Sequence, residues 1–181
     1  MKPPLQKILI SREQLLGRIK QLAQEINQAY QGQELVLVSV LKGSVMFLVE
    51  LMQKLDLDVE MGFLYLSSYR GETSPQSEVK RYLIPFPHIE DRHVLLVEDI
   101  FDTGASLSYA WKLCKKKNPR SLKTCVLLVK QDIERTALPP LDYQGFTIPN
   151  EFVVGFGLDY KEKYRQLPYI AVLDASSDSN G

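Results

Sequence analysis

Residues 34–41 form an apolar, β-branched run that Lys42-Gly43-Ser44 interrupts before helical periodicity takes over at 45–55. Residues 94–97, 107–117 and 122–129 then read as strand, helix and strand, with Asn118-Pro119 stopping the helix because proline turns its predecessor out of the helical region. Short apolar runs of this kind suit strands buried on both faces, and strands alternating with helices predict a mostly parallel sheet covered by helices on both sides. In such a sheet ligands collect beyond the carboxyl ends of the strands. The turns after 34–41, 94–97 and 122–129 are therefore where function is to be sought.

The rest of the chain is compatible with one α/β domain. Ser11 and Gln14 have the spacing of a capping box, and Leu15, Ile19, Leu22, Ala23 and Ile26 recur at helical spacing up to about Tyr30. Residues 59–66 read as a further strand, and the polar segment 67–77, with Gly71 and Pro75, leads to an extended stretch at 78–83. A loop that long calls for a functional reason. No repeat or linker divides the chain, so residues 1–175 are expected to be a single domain and the polar residues 176–181 a disordered tail.

Charge narrows the partners. Lysine plus arginine, 22, equals aspartate plus glutamate, 22, so no net positive field draws the chain to nucleic acid or to an anionic membrane. No apolar run approaches the roughly 20 residues that span a bilayer, and residues 1–9 lack an export signal; a cytoplasmic location is expected. Cys114 and Cys125 lack metal-ligand spacing and read as small apolar residues.

Residues 94–107, Val-Leu-Leu-Val-Glu-Asp-Ile-Phe-Asp-Thr-Gly-Ala-Ser-Leu, set two chemistries side by side. Glu98 and Asp99, at a strand end, can accept hydrogen bonds from vicinal hydroxyls and can hold a magnesium ion directly or through water. Residues 102–106, Asp-Thr-Gly-Ala-Ser, open the next helix, whose free N–H groups and dipole attract an anion, with the hydroxyls of Thr103 and Ser106 as further donors. Without a lysine in this loop the anion is held by neutral donors, which favours a sugar monophosphate over a nucleoside triphosphate. Singly, these residues could be a helix cap and two charges at a strand's mouth. Together they specify a ribose phosphate.

This segment resembles the ribose-phosphate signature of type I phosphoribosyltransferases, in the form carried by the hypoxanthine-guanine members. The resemblance extends over nearly the whole chain, through residues 38–44, Val-Ser-Val-Leu-Lys-Gly-Ser, residues 126–130, Val-Leu-Leu-Val-Lys, residues 152–160, Phe-Val-Val-Gly-Phe-Gly-Leu-Asp-Tyr, and Arg165. It implies a parallel-sheet core with a small hood built from the terminal segments. It also implies transfer of a ribose phosphate from 5-phosphoribosyl 1-pyrophosphate to a 6-oxopurine, with Mg2+, through a transition state resembling an oxocarbenium ion. The expected products are IMP or GMP, and the expected assembly is a homodimer or homotetramer.

The same resemblance distributes roles. Glu98 and Asp99 bind the ribose hydroxyls and the metal; Asp102, Thr103, Gly104, Ala105, Ser106 and Leu107 surround the 5′-phosphate; Asp102 is the general base. Lys42 and Gly43 form the pyrophosphate loop, with a cis peptide between Leu41 and Lys42, and Arg165 is the second pyrophosphate contact. Lys130 reads the purine, Phe152 stacks on it, Val153 reads its edge through the backbone, and Asp159 lies near the base, the second metal and the pyrophosphate. An ammonium group only donates, so Lys130 favours a 6-oxo over a 6-amino group. Residues 67–77 match the family's mobile lid, anchored by Ser68 and Tyr69, although Arg70, Glu72 and Pro75 depart from the small-residue lids of bacterial members.

Two rivals remain in view. A regulator on the same fold would add a basic face or another domain, which the balanced charge and the length do not offer. A dinucleotide-binding protein would need Gly-x-Gly-x-x-Gly after a strand, and none is present.

Overall fold

The computed structural model describes residues 5–66, 86–131 and 139–174. Its elements run β1 (Leu5–Ile10), α1 (Arg12–Ala29), β2 (Leu35–Leu41), α2 (Val45–Met52), β3 (Val59–Tyr65), β4 (His93–Phe101), α3 (Ala105–Lys115), β5 (Ser121–Lys130), β6 (Tyr143–Ile148), β7 (Val153–Val154) and β8 (Ile170–Leu173). Five strands pair in parallel in the order β3-β2-β4-β5-β6, and β1-β8-β7 form a second, antiparallel sheet. The parallel sheet with its helices is the expected α/β architecture, and the small sheet is its hood.

The period of two along the strands decides which helix covers which face. Leu35, Leu37, Leu95, Val97 and Leu127 pack with the buried stripe of α1 and with Phe47, Leu48 and Leu51 of α2. Val36, Val38, Val40, Val94, Leu96 and Val126 pack on the other face with Leu107, Ala110 and Cys114 of α3. The α1 stripe is Leu15, Ile19, Leu22, Ala23 and Ile26, and its capping box forms: Gln14 N donates to Ser11 Oγ at 3.3 Å, and Ser11 N donates to Gln14 Oε1 at 2.8 Å.

Several elements differ from expectation. β4 does not stop at Val97; it continues to Phe101, pairing with β5 as far as Phe101↔Val129, while its pairing with β2 ends at Ser39↔Val97. Glu98 and Asp99 therefore lie inside β4, where it parts from β2 but still runs beside β5. Because β2 leads to β3 on one side and β4 to β5 on the other, this parting is the point where the strand order reverses, and it opens a crevice there. α2 ends at Met52, followed by turns in which Lys54 N donates to Leu51 O and Leu55 N to Met52 O. β1, β6 and β8 carry no clear period. In β1 the register against β8 shifts between Leu5 and Lys7 and between Ile8 and Ile10, and these irregularities break the alternation of buried side chains. The stretch 78–83 lies outside the described residues. Among the described residues no helix is long and apolar enough to cross a membrane.

Candidate active site

The loop after β2 is held from below. Ser39 Oγ donates to Ser44 Oγ at 2.7 Å and Ser44 Oγ donates to the Val40 carbonyl, both hydroxyls fully buried. The Leu41–Lys42 peptide is cis, as the resemblance implied. Gly43 presses on the next strand so closely that a Cβ there would fall 1.8 Å from Asp99 Oδ2, and a Cβ on Gly157 would fall 1.9 Å from the Gly43 carbonyl. Gly157 has φ +102°, where glycine is the natural occupant. The loop after β2 is thus clasped between Asp99 of β4 on one side and the loop after β7 on the other.

Around this junction lies a crevice with two lobes. The first, of about 440 Å³, is bounded by Gly43, Glu98, Asp99, and residues 102–106. The second, of about 630 Å³, is bounded by Lys42, Gly43, Asp99, Phe152, Asp159 and Arg165. Gly43 and Asp99 belong to both. The crevice therefore gathers most of the residues singled out from sequence.

In the first lobe α3 begins at Ala105, with Gly104 as its left-handed N-cap residue (φ +75°) and no side-chain cap bond; Ala105 N reaches Thr103 Oγ1 only at 3.4 Å. Its first turn of N–H groups is open to an anion. The capping explanation of Asp102 fails here, because its Oδ2 instead accepts a hydrogen bond from Lys130 Nζ at 3.1 Å. The Ser106 hydroxyl is not directed at the loop's anion site but donates to Glu98 Oε1. Leu107 is fully buried in the core on the α3 face, so only its backbone can serve a ligand. Glu98 is itself buried, and among the described residues its Oε2 has no hydrogen-bond partner. Burial, opposed by the Ser106 bond and reinforced by the Asp99 charge, pushes its carboxyl up to about 8. Asp99 is pushed up to about 6 by burial, against the pull of its own and Ile100's backbone N–H groups and of Arg165.

In the second lobe Arg165 is pinned by Nη1 donating to Gly157 O at 2.8 Å and by an ion pair to Asp159 Oδ1 at 2.8 Å. Asp159 Oδ2 accepts the Glu162 N–H at 2.9 Å, so both Asp159 oxygens are engaged within the chain. Lys42 pairs with Glu162 at 3.0 Å. Phe152 is half-exposed and meets Tyr160 edge-on with ring centroids 5.7 Å apart, whereas Val153 is buried in β7 against Val172. Lys130, buried at the end of β5, lines neither lobe among the described residues and reaches the site through Asp102. Ser68 and Tyr69 lie outside the described residues. No three His, Cys, Asp or Glu side chains among the described residues converge as a metal cage.

Glu162 escaped the sequence reading. Its only linear signal is an acid three residues before Arg165, and its partner Lys42 is 120 residues away.

A five-stranded parallel sheet with helices on both faces, a small second sheet and a crevice at the strand-order reversal define the type I phosphoribosyltransferase fold. A model of the phosphoribosyl transferase domain matches residues 7–161. The chain is 42% identical over 169 residues to the hypoxanthine-guanine phosphoribosyltransferase of Lactococcus lactis, covering 93% of this chain and 91% of that one. Among solved structures, a hypoxanthine phosphoribosyltransferase from Staphylococcus aureus superposes with a TM-score of 0.89 at 37% identity, covering 98% of this chain and 96% of that one. A hypoxanthine-guanine phosphoribosyltransferase from Bacillus anthracis gives 0.86 at 38%, covering 94% and 99%. The chain belongs to the phosphoribosyltransferase family, in its hypoxanthine-guanine branch, and is a pentosyl-transferring enzyme.

Proposed function

We propose that the enzyme transfers the 5-phosphoribosyl group of 5-phosphoribosyl 1-pyrophosphate to hypoxanthine or guanine in purine salvage, releasing pyrophosphate and forming IMP or GMP, as a cytoplasmic homodimer or homotetramer. The observation that carries this reading is the Lys130–Asp102 pair at 3.1 Å beside the anion loop. A 6-oxopurine presents an acceptor, O6, next to a ring N–H on one edge. A donor-only ammonium beside an acceptor carboxylate complements that edge, and a 6-amino group would set donor against donor.

The remaining roles are those the family resemblance implies, and the crevice residues are compatible with them. The 5′-phosphate sits on the backbone of residues 103–107, Glu98 and Asp99 accept from the ribose hydroxyls, Lys42, Gly43 and Arg165 hold pyrophosphate, and Phe152 stacks on the base with the Val153 backbone at its edge. Asp102 takes the proton the purine loses as its other imidazole nitrogen bonds to the anomeric carbon. Ser68 and Tyr69, outside the described residues, are assigned by the resemblance alone to a lid that would exclude water from the cationic sugar. Mg2+ fits the donor set because it is usually held by one or two carboxylates together with substrate oxygens rather than by an all-protein cage. Glu98, with one oxygen lacking a partner among the described residues, and Asp99, at the wall between the lobes, are the better-placed carboxylates; Asp159 has both oxygens engaged. When bound, the ion neutralises charge on the leaving pyrophosphate.

A panel of hypoxanthine, guanine, xanthine and adenine, each with phosphoribosyl pyrophosphate and Mg2+, tests the reading by nucleotide formation. Turnover with the 6-oxopurines and none with adenine is expected. Turnover of adenine alone overturns the role of Lys130, and a salt-sensitive shift of RNA without turnover of any base favours a regulator.

A further inference from the structure

The turn at residues 160–163 carries an acid that the proposed reaction does not use. Tyr160 N donates to Lys163 O at 3.1 Å and Lys163 N returns to Tyr160 O at 3.0 Å, closing a two-residue hairpin. Its central residues, Lys161 and Glu162, both have positive φ, 50° and 64°, a conformation that such turns usually give to asparagine or glycine. A backbone of this kind persists where its surroundings hold it. Here the Glu162 N–H is held by Asp159 Oδ2 at 2.9 Å, and its carboxylate is gripped at both oxygens, Oε2 by Lys42 Nζ at 3.0 Å and Oε1 by Arg165 Nη2 at 3.3 Å.

Glu162 thus bridges the two cations assigned above to pyrophosphate, inside the lobe they line. The hydrogen bond and charge of Glu162 hold the Lys42 ammonium in its charged form, and Lys42 in turn lowers the Glu162 carboxyl below its usual range. The contact is nevertheless exchangeable. The Lys42 and Glu162 side chains are 47% and 65% exposed, and ion pairs open to solvent are weak. A diphosphate brings more charge and more acceptor oxygens than one carboxylate, and it can satisfy both cations together.

We propose that Glu162 is a positioning residue that acts as an internal stand-in anion: it keeps Lys42 beside the already pinned Arg165, facing the second lobe, until a diphosphate displaces it. The proposal rests on the assignment of Lys42 and Arg165 to pyrophosphate. Because the carboxylate must be expelled, it weakens binding of diphosphate ligands and leaves the purine side of the crevice untouched.

Steady-state kinetics of Glu162→Gln and Glu162→Asp, with calorimetric titration of inorganic pyrophosphate and Mg2+, test this. Glu162→Gln is expected to lower both the KM for phosphoribosyl pyrophosphate and the pyrophosphate Kd by roughly three- to tenfold, the scale of losing two exposed charge contacts. The purine KM should not move, kcat should stay within about twofold, and Glu162→Asp should fall closer to the wild type because it keeps the carboxylate. In a Lys42→Ala background the gain from Glu162→Gln should shrink, since the two side chains act as a pair. An unchanged or raised KM for phosphoribosyl pyrophosphate in Glu162→Gln overturns the stand-in role, as does a loss shared equally by purine and diphosphate, which marks a purely structural turn. If Lys42→Ala alone leaves the pyrophosphate Kd unchanged, the assignment of Lys42 itself fails, an outcome readable without the Glu162 variants.

Discussion

Asp102 and Lys130 are unequal partners: the lysine side chain is 10% exposed and the aspartate 54%. Among the described residues Asp102 is the carboxylate that pairs with this buried ammonium, while the aspartate keeps a face toward the first lobe. Replacing Asp102 with asparagine preserves size and removes basicity. The expected result is a fall in kcat on the order of 10²–10⁴-fold with the KM values largely retained, measured by steady-state turnover of hypoxanthine; wild-type turnover would remove Asp102 as the base. At this scale the linear motif at residues 94–107 was legible because its acids, hydroxyls and glycine are contiguous. The contacts that define the roles were not. Lys130 lies 28 residues from Asp102, and the Ser106–Glu98 bond depends on the angle between β4 and the first turn of α3.

The elements show why the crevice exists. β2 and β4 run side by side only as far as Val97; the glycine at 43 allows the loop after β2 to approach the Asp99 carboxylate of β4, and the glycine at 157 allows the loop after β7 to pack on Gly43. Gly157→Ala puts a Cβ 1.9 Å from the Gly43 carbonyl at φ +102°. The backbone conformation alone is expected to cost about 1–3 kcal/mol, seen as a lower urea midpoint, and displacement of the loop after β2 should raise the KM for phosphoribosyl pyrophosphate. Wild-type stability and KM together would show that the two loops adjust independently. Strand and helix identities in the core were readable from periodicity, since both faces of the parallel sheet are buried and its strands are continuously apolar. β1 and β8 were not, because their pairing joins the two ends of the chain across bulges.

For the molecule as a whole, folding buries the carboxyl of Glu98 and half-buries Asp99 at the centre of the crevice. Glu98 is raised from 4.5 to about 8 and Asp99 from 3.8 to about 6, both chiefly by burial. Between the unfolded and folded values the folded chain binds more protons than the unfolded one. The associated stability is complete at a pH below the unfolded values and is lost as pH rises, through about 6 for Asp99 and about 8 for Glu98. Each group contributes a slope of at most about 1.4 kcal/mol per pH unit within its window. Without divalent cations the melting temperature should therefore fall more steeply between pH 5 and pH 8 than in Glu98→Gln, which carries no titrating group at that position; parallel slopes would show that Glu98 ionises freely. The sequence by itself determined the parallel α/β class, the α1 capping box and its buried stripe, and the residues from which a ribose-phosphate site could be built, because periodicity, capping and a contiguous loop are local properties of a chain. Tertiary structure alone decided where β4 parts from β2, which carboxylates are buried, and that Lys130 meets Asp102 and Glu162 meets Lys42. Those outcomes depend on burial and on distances between segments far apart in sequence, which are set only when the strands pair.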